Sequence, residues 1–559
     1  MYKYEKNIAN VLYIKDKRLI LWYNIVMENE KDLRKKFEQM TKEELVDYAI
    51  RQAGTMNTYM EIIMSMNNKT FKKKTETLDQ NQISLFDEIE YTYEQATPEE
   101  LDESLIQAKP KKKKRTKAKE TDYSNLEKKT IYHTIPNNTC PFCGDKLVKT
   151  GQKIIEVLKY QKAYYYIEQH IISEYACNSC GKEGIVSKDA PVRLLERSKA
   201  SSSVVAGIVT NKFVLDVPLY RQENDLKRQG IYITRQNMSN WLIQTCEFYL
   251  ESLFEKMHKD IQTVDIIHMD ETTHICIEDK KDGREKNYEW LIVSGAYEEK
   301  QMALYFYSES RRYDTMNDLL RVNPKRYIQS DGYGAYHNEE YGTDVACIAH
   351  IRRKFYDAMI ADPLHSKIGK IKDKNEAKAL IEANPSYKNI VLILNLIKKI
   401  SNMDQKIKDR ALEERLKMKE DGSLPIFNEL YEIIESLQNS YLPKSKMGKA
   451  ITYALNEKEY LKNYYLDGRL EISNNRAERM IKDLVMARKN FLFSNTARGA
   501  RTSSIYMSLI ESAKLNNLDP YRYLIHVLDR LSKEGLRDEV IEEVLPYSKF
   551  IPKSVKVHK

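Results

Sequence analysis

The stretch Val264-Asp265-Ile266-Ile267-His268-Met269-Asp270-Glu271-Thr272 reads as an apolar strand that delivers a carboxylate, Asp270, at its C-terminal end. Two further strand-like runs follow, Tyr288 to Gly295 and Met302 to Tyr307, and then a helix-like run from Tyr313 to Arg321. A short strand, Tyr327 to Ser330, ends at a second carboxylate, Asp331. Another strand, Val345 to Ala349, leads into a helix from Arg352 to Ile360. A third acid, Glu478, lies far downstream in Asn474-Asn475-Arg476-Ala477-Glu478-Arg479. There Asn475, Glu478 and Arg479 share one helical face at i, i+3 and i+4.

A single Asp at a strand end is ordinarily a turn former. Three acids in this order of elements point instead to a ribonuclease H-like core, in which the first and fourth strands are neighbours and their carboxylates meet. Three converging carboxylates can hold two divalent cations, which clamp the attacking and leaving oxygens of an in-line phosphoryl displacement. In a basic chain this suggests cutting and joining of nucleic acid.

A length of 559 residues implies several domains, and 42% hydrophobic content suffices for packed cores. A net charge of +9 favours an anionic partner only weakly on a chain this long. The apolar runs Leu19 to Val26 and Val391 to Ile397 fall short of the roughly 20 residues of a membrane helix. The N-terminus has no small-residue cleavage site after its short apolar run, which argues against a signal peptide. Of the seven Cys, four stand in two C-x-x-C pairs, which fits a reducing compartment and a metal site better than disulfides. The expected location is cytoplasmic, on the nucleoid. Met27 opens a more ordinary helical sequence, so residues 1–26 read as an upstream extension of the reading frame.

The expected organisation is multidomain α+β. Residues 27–70 are helical and zipper-like. Thr41-x-x-Glu44 is a capping box, followed by a weak heptad seam through Leu45, Ala49, Gln52, Met56, Tyr59, Ile63 and Met66. That seam suits either one amphipathic helix or a dimerising coiled coil. Residues 71–128 form a basic linker in which eight of the eleven residues from Lys109 to Lys119 are Lys or Arg, a block that is either solvated or laid on DNA phosphates.

Residues 129–186 form a zinc-binding domain. Cys140-x-x-Cys143-Gly144 and Cys177-x-x-Cys180-Gly181 are two knuckle-like turns whose four thiolates make a closed, structural Zn²⁺ site. Residues 187–260 form a helical DNA-binding region, with helices over Val204 to Phe213 and Leu219 to Arg228. A Gln229-Gly230-Ile231 turn and a third helix capped by Thr234 complete it. This is either a helix-turn-helix, with Arg235, Gln236, Asn237 and Asn240 reaching base edges, or an ordinary helical hairpin. The core occupies residues 261–360 and 466–512, interrupted by a helical insertion over 361–465 with breakers at Pro363, Pro385, Pro425 and Pro443. Residues 513–559 form a helical tail.

Several strings occur together in one order: Cys140-x-x-Cys143-Gly144, Leu219-Tyr220-Arg221-Gln222-Glu223, Asp270-Glu271-Thr272, Ser330-Asp331-Gly332-Tyr333, Cys347-Ile348-Ala349-His350-Ile351-Arg352-Arg353-Lys354-Phe355, Asn474 to Arg479, and Arg488-Lys489-Asn490-Phe491-Leu492-Phe493. The chain resembles the DDE transposases of the insertion-sequence-66 family from about residue 30 to about residue 545. The resemblance implies that Asp270, Asp331 and Glu478 are the catalytic triad and bind two Mg²⁺ (or Mn²⁺) ions. The partners expected are double-stranded DNA at element ends and target, a second copy in a homodimer or higher oligomer, and small accessory proteins of the same element. Arg352, Arg353, Lys354, Arg479, Arg488 and Lys489 are placed to hold DNA, against a solvated basic face as the alternative. Cys347-x-x-His350 lacks two further ligands nearby and reads as a structural or positioning element rather than a metal pair. A ribonuclease H-like nuclease or resolvase would carry the same site, and a transposase-derived regulator would need none of the three acids.

Overall fold

The computed structural model describes Thr41 and residues 165–171, 174–176, 185–187, 191–196, 198–280, 287–312, 314–371 and 373–557. The zipper-like helix, the basic linker and the four knuckle cysteines lie outside them. In chain order the elements are an antiparallel pair, β1 (Glu174–Ala176) and β2 (Ile185–Ser187), then helices α1 (Ser202–Phe213), α2 (Leu219–Arg228), α3 (Arg235–Thr245) and α4 (Glu251–Ile261). Strands β3 (Ile266–His274), β4 (Asn287–Ser294) and β5 (Ala303–Ser308) follow, then α5 (Thr315–Leu319), β6 (Tyr327–Ser330) and β7 (Thr343–Ala346). The helices α6 (Ile348–Ala361), α7 (Pro363–Ile368), α8 (Lys374–Glu382), α9 (Pro385–Ile407), α10 (Leu412–Met418), α11 (Leu424–Ser436), α12 (Lys446–Asn456) and α13 (Lys458–Lys462) come next. The chain closes with α14 (Asn475–Phe491), α15 (Ala497–Leu515), α16 (Pro520–Glu534) and α17 (Asp538–Val544).

Among the described residues, Val322–Asn475 make one contiguous compact unit, and those of Pro110–Arg321 and Arg476–Lys559 make a second, two-segment unit. No helix among the described residues is long and apolar enough to cross a membrane.

In the two-segment unit, β3, β4 and β5 form an antiparallel meander with the rows Asp270–Leu291–Tyr305, Glu271–Trp290–Phe306 and Thr272–Glu289–Tyr307. Their β-branched and aromatic residues suit a pleated surface covered on both sides. Because side chains alternate along a strand, the row of Asp270 and that of Thr272 face one way, and the row of Glu271 faces the other. Phe306, on the latter face, packs against Phe254 of α4 with ring centroids 5.2 Å apart. The opposite face carries α14.

Strand β5 brings backbone donors to a serine stripe on α15. Ala303 N donates to Ser512 Oγ at 2.9 Å and Tyr305 N to Ser508 Oγ at 2.8 Å. Spaced four apart, these hydroxyls satisfy strand donors that would otherwise be buried unpaired.

Strand β3 extends further than its apolar half suggests. It reaches His274, which puts Asp270 at mid-strand. The reason is the partner: β4 pairs with β3 as far as Asn287–His274, so the ladder carries Thr272 and Thr273 along with it. Helix α5 is shorter than the expected run to Arg321, because Leu320 takes an extended conformation (φ −128°, ψ 142°).

In the contiguous unit, β6 and β7 pair in parallel, with Ser330 opposite Ala346. Three of the prolines read as breakers do separate helices: Pro363 and Pro385 open α7 and α9 after a break, and Pro443 lies between α11 and α12. Pro363 and Pro385 stand in first turns, where a missing N–H costs nothing and the fixed φ suits the helix, whereas Pro425 lies in helical backbone that runs on unbroken from α10 through a π-helical turn at Lys419–Ser423. Pro443 falls in the loop before α12, whose cap is Ser445 accepting from Gly448 N at 3.0 Å. Lys419 is fully buried and donates to the carbonyls of Tyr464, Asp467 and Leu470 at 3.4, 2.9 and 2.8 Å, tying the chain that leads toward α14.

Candidate active site

Asp270 is half-buried, and its Oδ1 accepts from Glu271 N at 2.9 Å. Cross-strand partners point to the same face of a sheet, so Asp270, Leu291 and Tyr305 lie on one side. The Tyr305 hydroxyl donates to the carbonyl of Met480 at 2.8 Å, two residues beyond Glu478. Two residues before Glu478, Arg476 Nε donates to the Ser294 carbonyl at the end of β4, also at 2.8 Å. The first turn of α14 is thus tied to the meander on both sides of Glu478. On the opposite face Glu271 is ion-paired with Arg311.

Asp331 stands in the contiguous unit, immediately after β6. Its Oδ1 accepts from Tyr333 N at 3.1 Å in an Asx turn, and its carbonyl accepts from the Tyr453 hydroxyl at 2.7 Å. Gly332 has φ +82°, a left-handed conformation that favours glycine. Ser330 Oγ donates to Asp344 Oδ1 at 2.9 Å, and Asp344 Oδ2 is 2.7 Å from His337 Nδ1. The His337 ring stacks on Tyr460 with centroids 4.0 Å apart.

The basic residues expected at DNA divide by element. Arg235, Gln236, Asn237 and Asn240 are all exposed on α3, while Met238 and Leu242 on its other side are buried. Thr234 caps this helix by accepting from Asn237 N at 3.2 Å, and Arg235 lies 5.7 Å from the ring of Tyr220 on α2. Arg352 and Arg353 are half-buried on α6. Lys354 is exposed, with its ammonium 4.9 Å from the ring of Tyr453, the residue that holds Asp331. On α14, Arg479 and Lys489 are exposed, whereas Arg488 is half-buried with Nη1 3.5 Å from Thr272 Oγ1. Cys347 is buried and its thiol accepts from Asn474 N at 3.1 Å.

Residues 197–502, more than half of the chain, match the model of the Transposase IS66 family. The chain belongs to the IS66 transposase family. Residues 508–547 match the IS66 C-terminal element, and residues 137–181 match the zinc-finger binding domain of transposase IS66, a span that includes all four knuckle cysteines.

Three uncharacterised proteins of Sinorhizobium fredii (strain NBRC 101917 / NGR234) are similar. They are y4jD, 26% identical over 74% of this chain and 78% of its own length, y4qI, 26% identical over 67% of each, and y4hP, 25% identical over 74% and 73%. No solved structure matches the chain. Family membership supports a transposase role, and the zinc-finger match supports a Zn²⁺ site.

Two sets of residues beside the candidate acids escaped sequence reasoning. One surrounds Asp331. Glu457, between α12 and α13, is 4% exposed, and burial pushes its carboxyl up to about 7, with Asp344 and Asp331 adding to the rise and His337 opposing it. The hydrogen bond that His337 donates to Asp344 raises His337. The only hint in the sequence was Gly332, a glycine beside an acid where something must approach closely.

The other set lies on the same sheet face as Asp270. Glu289 is 2% exposed, pushed up to about 8 by burial against the pull of the Ser504 hydroxyl and Arg488. His274 is held at about 4 by burial, with Arg488 and Lys212 adding, and its Nε2 lies 3.0 Å from Ser494 Oγ. Glu289 sits within a run of strand residues and carries no signal of its own.

Proposed function

We propose that this transposase uses Asp270, Asp331 and Glu478 to cleave the ends of an insertion sequence and join them to target DNA. The β3–β5 meander and the β6–β7 pair would then be the parts of one ribonuclease H-like core. Three features support the reading: the element order, the ties between the helix turn bearing Glu478 and the meander that carries Asp270, and an Asx turn that carries Asp331 directly after a strand.

Half-buried carboxylates offer hard oxygen donors, which suit Mg²⁺ or Mn²⁺. Two such ions, held by Asp270, Asp331 and Glu478, supply the charge stabilisation of the attacking and leaving oxygens when bound. The protein's own contribution is orientation. Arg476 and Tyr305 hold the turn bearing Glu478, and Tyr453 and Gly332 hold the turn bearing Asp331. Lys354, Arg352 and Arg353 on α6, and Arg479, Arg488 and Lys489 on α14, contribute positive charge for phosphates. The exposed end of α3 presents Arg235, Gln236, Asn237 and Asn240 to base edges.

In the first transfer a water oxygen bonds to phosphorus as the phosphorus–3′-oxygen bond breaks, freeing a 3′-OH. In the second, that hydroxyl bonds to a target phosphorus, and the target's own 3′ oxygen leaves. Cys140, Cys143, Cys177 and Cys180 hold one structural Zn²⁺. Double-stranded DNA, a second copy of the chain and accessory proteins of the element are the partners in this reading.

The test incubates purified protein with labelled DNA from the flanks of its own gene, a target plasmid and Mg²⁺, beside Asp331→Asn and Asp270→Asn. Joined product from the wild type alone is the expected result. Cleavage without joining indicates a nuclease or resolvase. Full strand transfer by either Asn variant overturns the assignment of the acids, and end binding without cleavage by any of the three proteins indicates a regulator.

A further inference from the structure

The carboxyl of Glu457 stands beside Gly332 in the Asp331 turn. A Cβ added at Gly332 would stand 2.6 Å from Glu457 Oε2 and 2.8 Å from Oε1, so the carboxyl occupies the space a side chain at 332 would need. Glu457 is fixed from its own side as well, because its backbone N–H donates to the Tyr453 carbonyl at 3.1 Å and the Tyr453 hydroxyl donates to the Asp331 carbonyl. Tyr453 and Glu457 therefore grip the turn at two consecutive residues, one by a hydrogen bond to Asp331 and one by contact with Gly332. Glu457 Oε2 is buried without a hydrogen-bond partner. A carboxyl that only filled space would be replaced at less cost by an apolar side chain, since buried polar atoms without partners are unfavourable.

We propose that Glu457 is a positioning residue for Asp331: its carboxyl, wedged against Gly332, holds the left-handed turn that aims the Asp331 side chain. This deepens the proposed function and rests on Asp331 being one of the reacting acids. It assigns a role in the chemistry to the loop between α12 and α13, inside the helical stretch that separates the second and third acids in sequence. It also explains why the residue after Asp331 is glycine for two reasons, φ and space, rather than one.

The experiment compares wild type with Glu457→Ala, Glu457→Gln, Gly332→Ala and the double variant Gly332→Ala/Glu457→Ala. It measures cleavage of prebound end DNA, the Mg²⁺ concentration for half-maximal rate, end-DNA affinity and thermal stability. Glu457→Ala is expected to slow cleavage roughly tenfold and to raise the Mg²⁺ requirement with end-DNA affinity unchanged, because a small misplacement of a reacting group is costly. Glu457→Gln, which keeps the shape, is expected to recover most of that loss. Gly332→Ala is expected to cost about a hundredfold, and the double variant to cleave faster than Gly332→Ala alone, since removal of the carboxyl makes room for the new methyl group.

Wild-type rate and Mg²⁺ dependence in Glu457→Ala would overturn the proposal, as would losses in the two single variants that merely multiply in the double. Should Gly332→Ala fail to fold, the Glu457→Ala and Glu457→Gln pair decides alone. Asp331→Asn runs alongside. If it cleaves fully, the proposed function has failed; if it is dead while Glu457→Ala is normal, only this inference has failed.

Discussion

The hydroxyl of Tyr305 reaches from the third strand of the meander to the carbonyl of Met480 at 2.8 Å, and so ties the sheet to the helix turn that carries Glu478. Tyr305 itself is fully buried and stands in the same cross-strand row as Asp270. Tyr305→Phe removes only this oxygen. The expected cost in stability is about 1 kcal/mol, the usual net value of one hydrogen bond, read from denaturant midpoints. Cleavage should fall roughly tenfold through misplacement of Glu478, with end binding intact.

The serine stripe on α15 gives a sharper stability test. Ser508→Ala leaves the N–H of Tyr305 buried without its acceptor. The expected loss is about 1–3 kcal/mol, the cost of an unsatisfied buried donor. Ser503 on the same helix donates to the Gly499 carbonyl of its own helix and accepts only a long contact, 3.5 Å, from Lys212 Nζ, so Ser503→Ala should cost less in the same measurement.

Glu289 should make stability fall as pH rises. Its folded-state value of about 8 lies above the ordinary 4.5, so the folded protein keeps a proton that the unfolded chain has released between those limits. Below pH 4.5 both states are protonated and there is no penalty. Through the window the wild type should lose up to about 1.4 kcal/mol per pH unit relative to Glu289→Gln. Urea titrations of the two proteins across that range check it, and parallel pH profiles would show that Glu289 does not titrate there.

Zinc should be separable from the phosphoryl chemistry. Purified protein is expected to carry one equivalent of zinc, and Cys143→Ser or a strong chelator to remove it. Loss of structure should then be confined to the knuckle domain, because thiolate–zinc bonds supply much of the folding energy of such small domains. Metal analysis and circular dichroism read the two effects, and a chain that binds no zinc when its cysteines are reduced would refute the ligand assignment.

The elements around the acids were largely legible in the sequence because they are set by local chemistry. α2 runs over Leu219–Arg228 as read, and Thr234 caps α3 as read, since a helix start is encoded within four residues. The end of β3 was not legible. The strand continues past Asp270 only because β4 offers a partner there, and pairing is a non-local fact. Of the prolines, Pro363, Pro385 and Pro443 separate helices as read, and Pro425 does not, because a π-helical turn just before it lets the helical backbone run on from α10.

Sequence alone determined which acids stand out, which strings surround them, which cysteines pair in knuckles and which family the chain resembles, because residue type and spacing carry that chemistry directly. Tertiary structure decided what holds those acids. Tyr305 and Arg476 brace the turn of Glu478, and Tyr453 and Glu457 grip the turn of Asp331 across more than a hundred residues of chain. A buried carboxyl such as Glu457 or Glu289 looks in sequence like any solvated acid. Its perturbed proton affinity exists only once folding has taken water away from it.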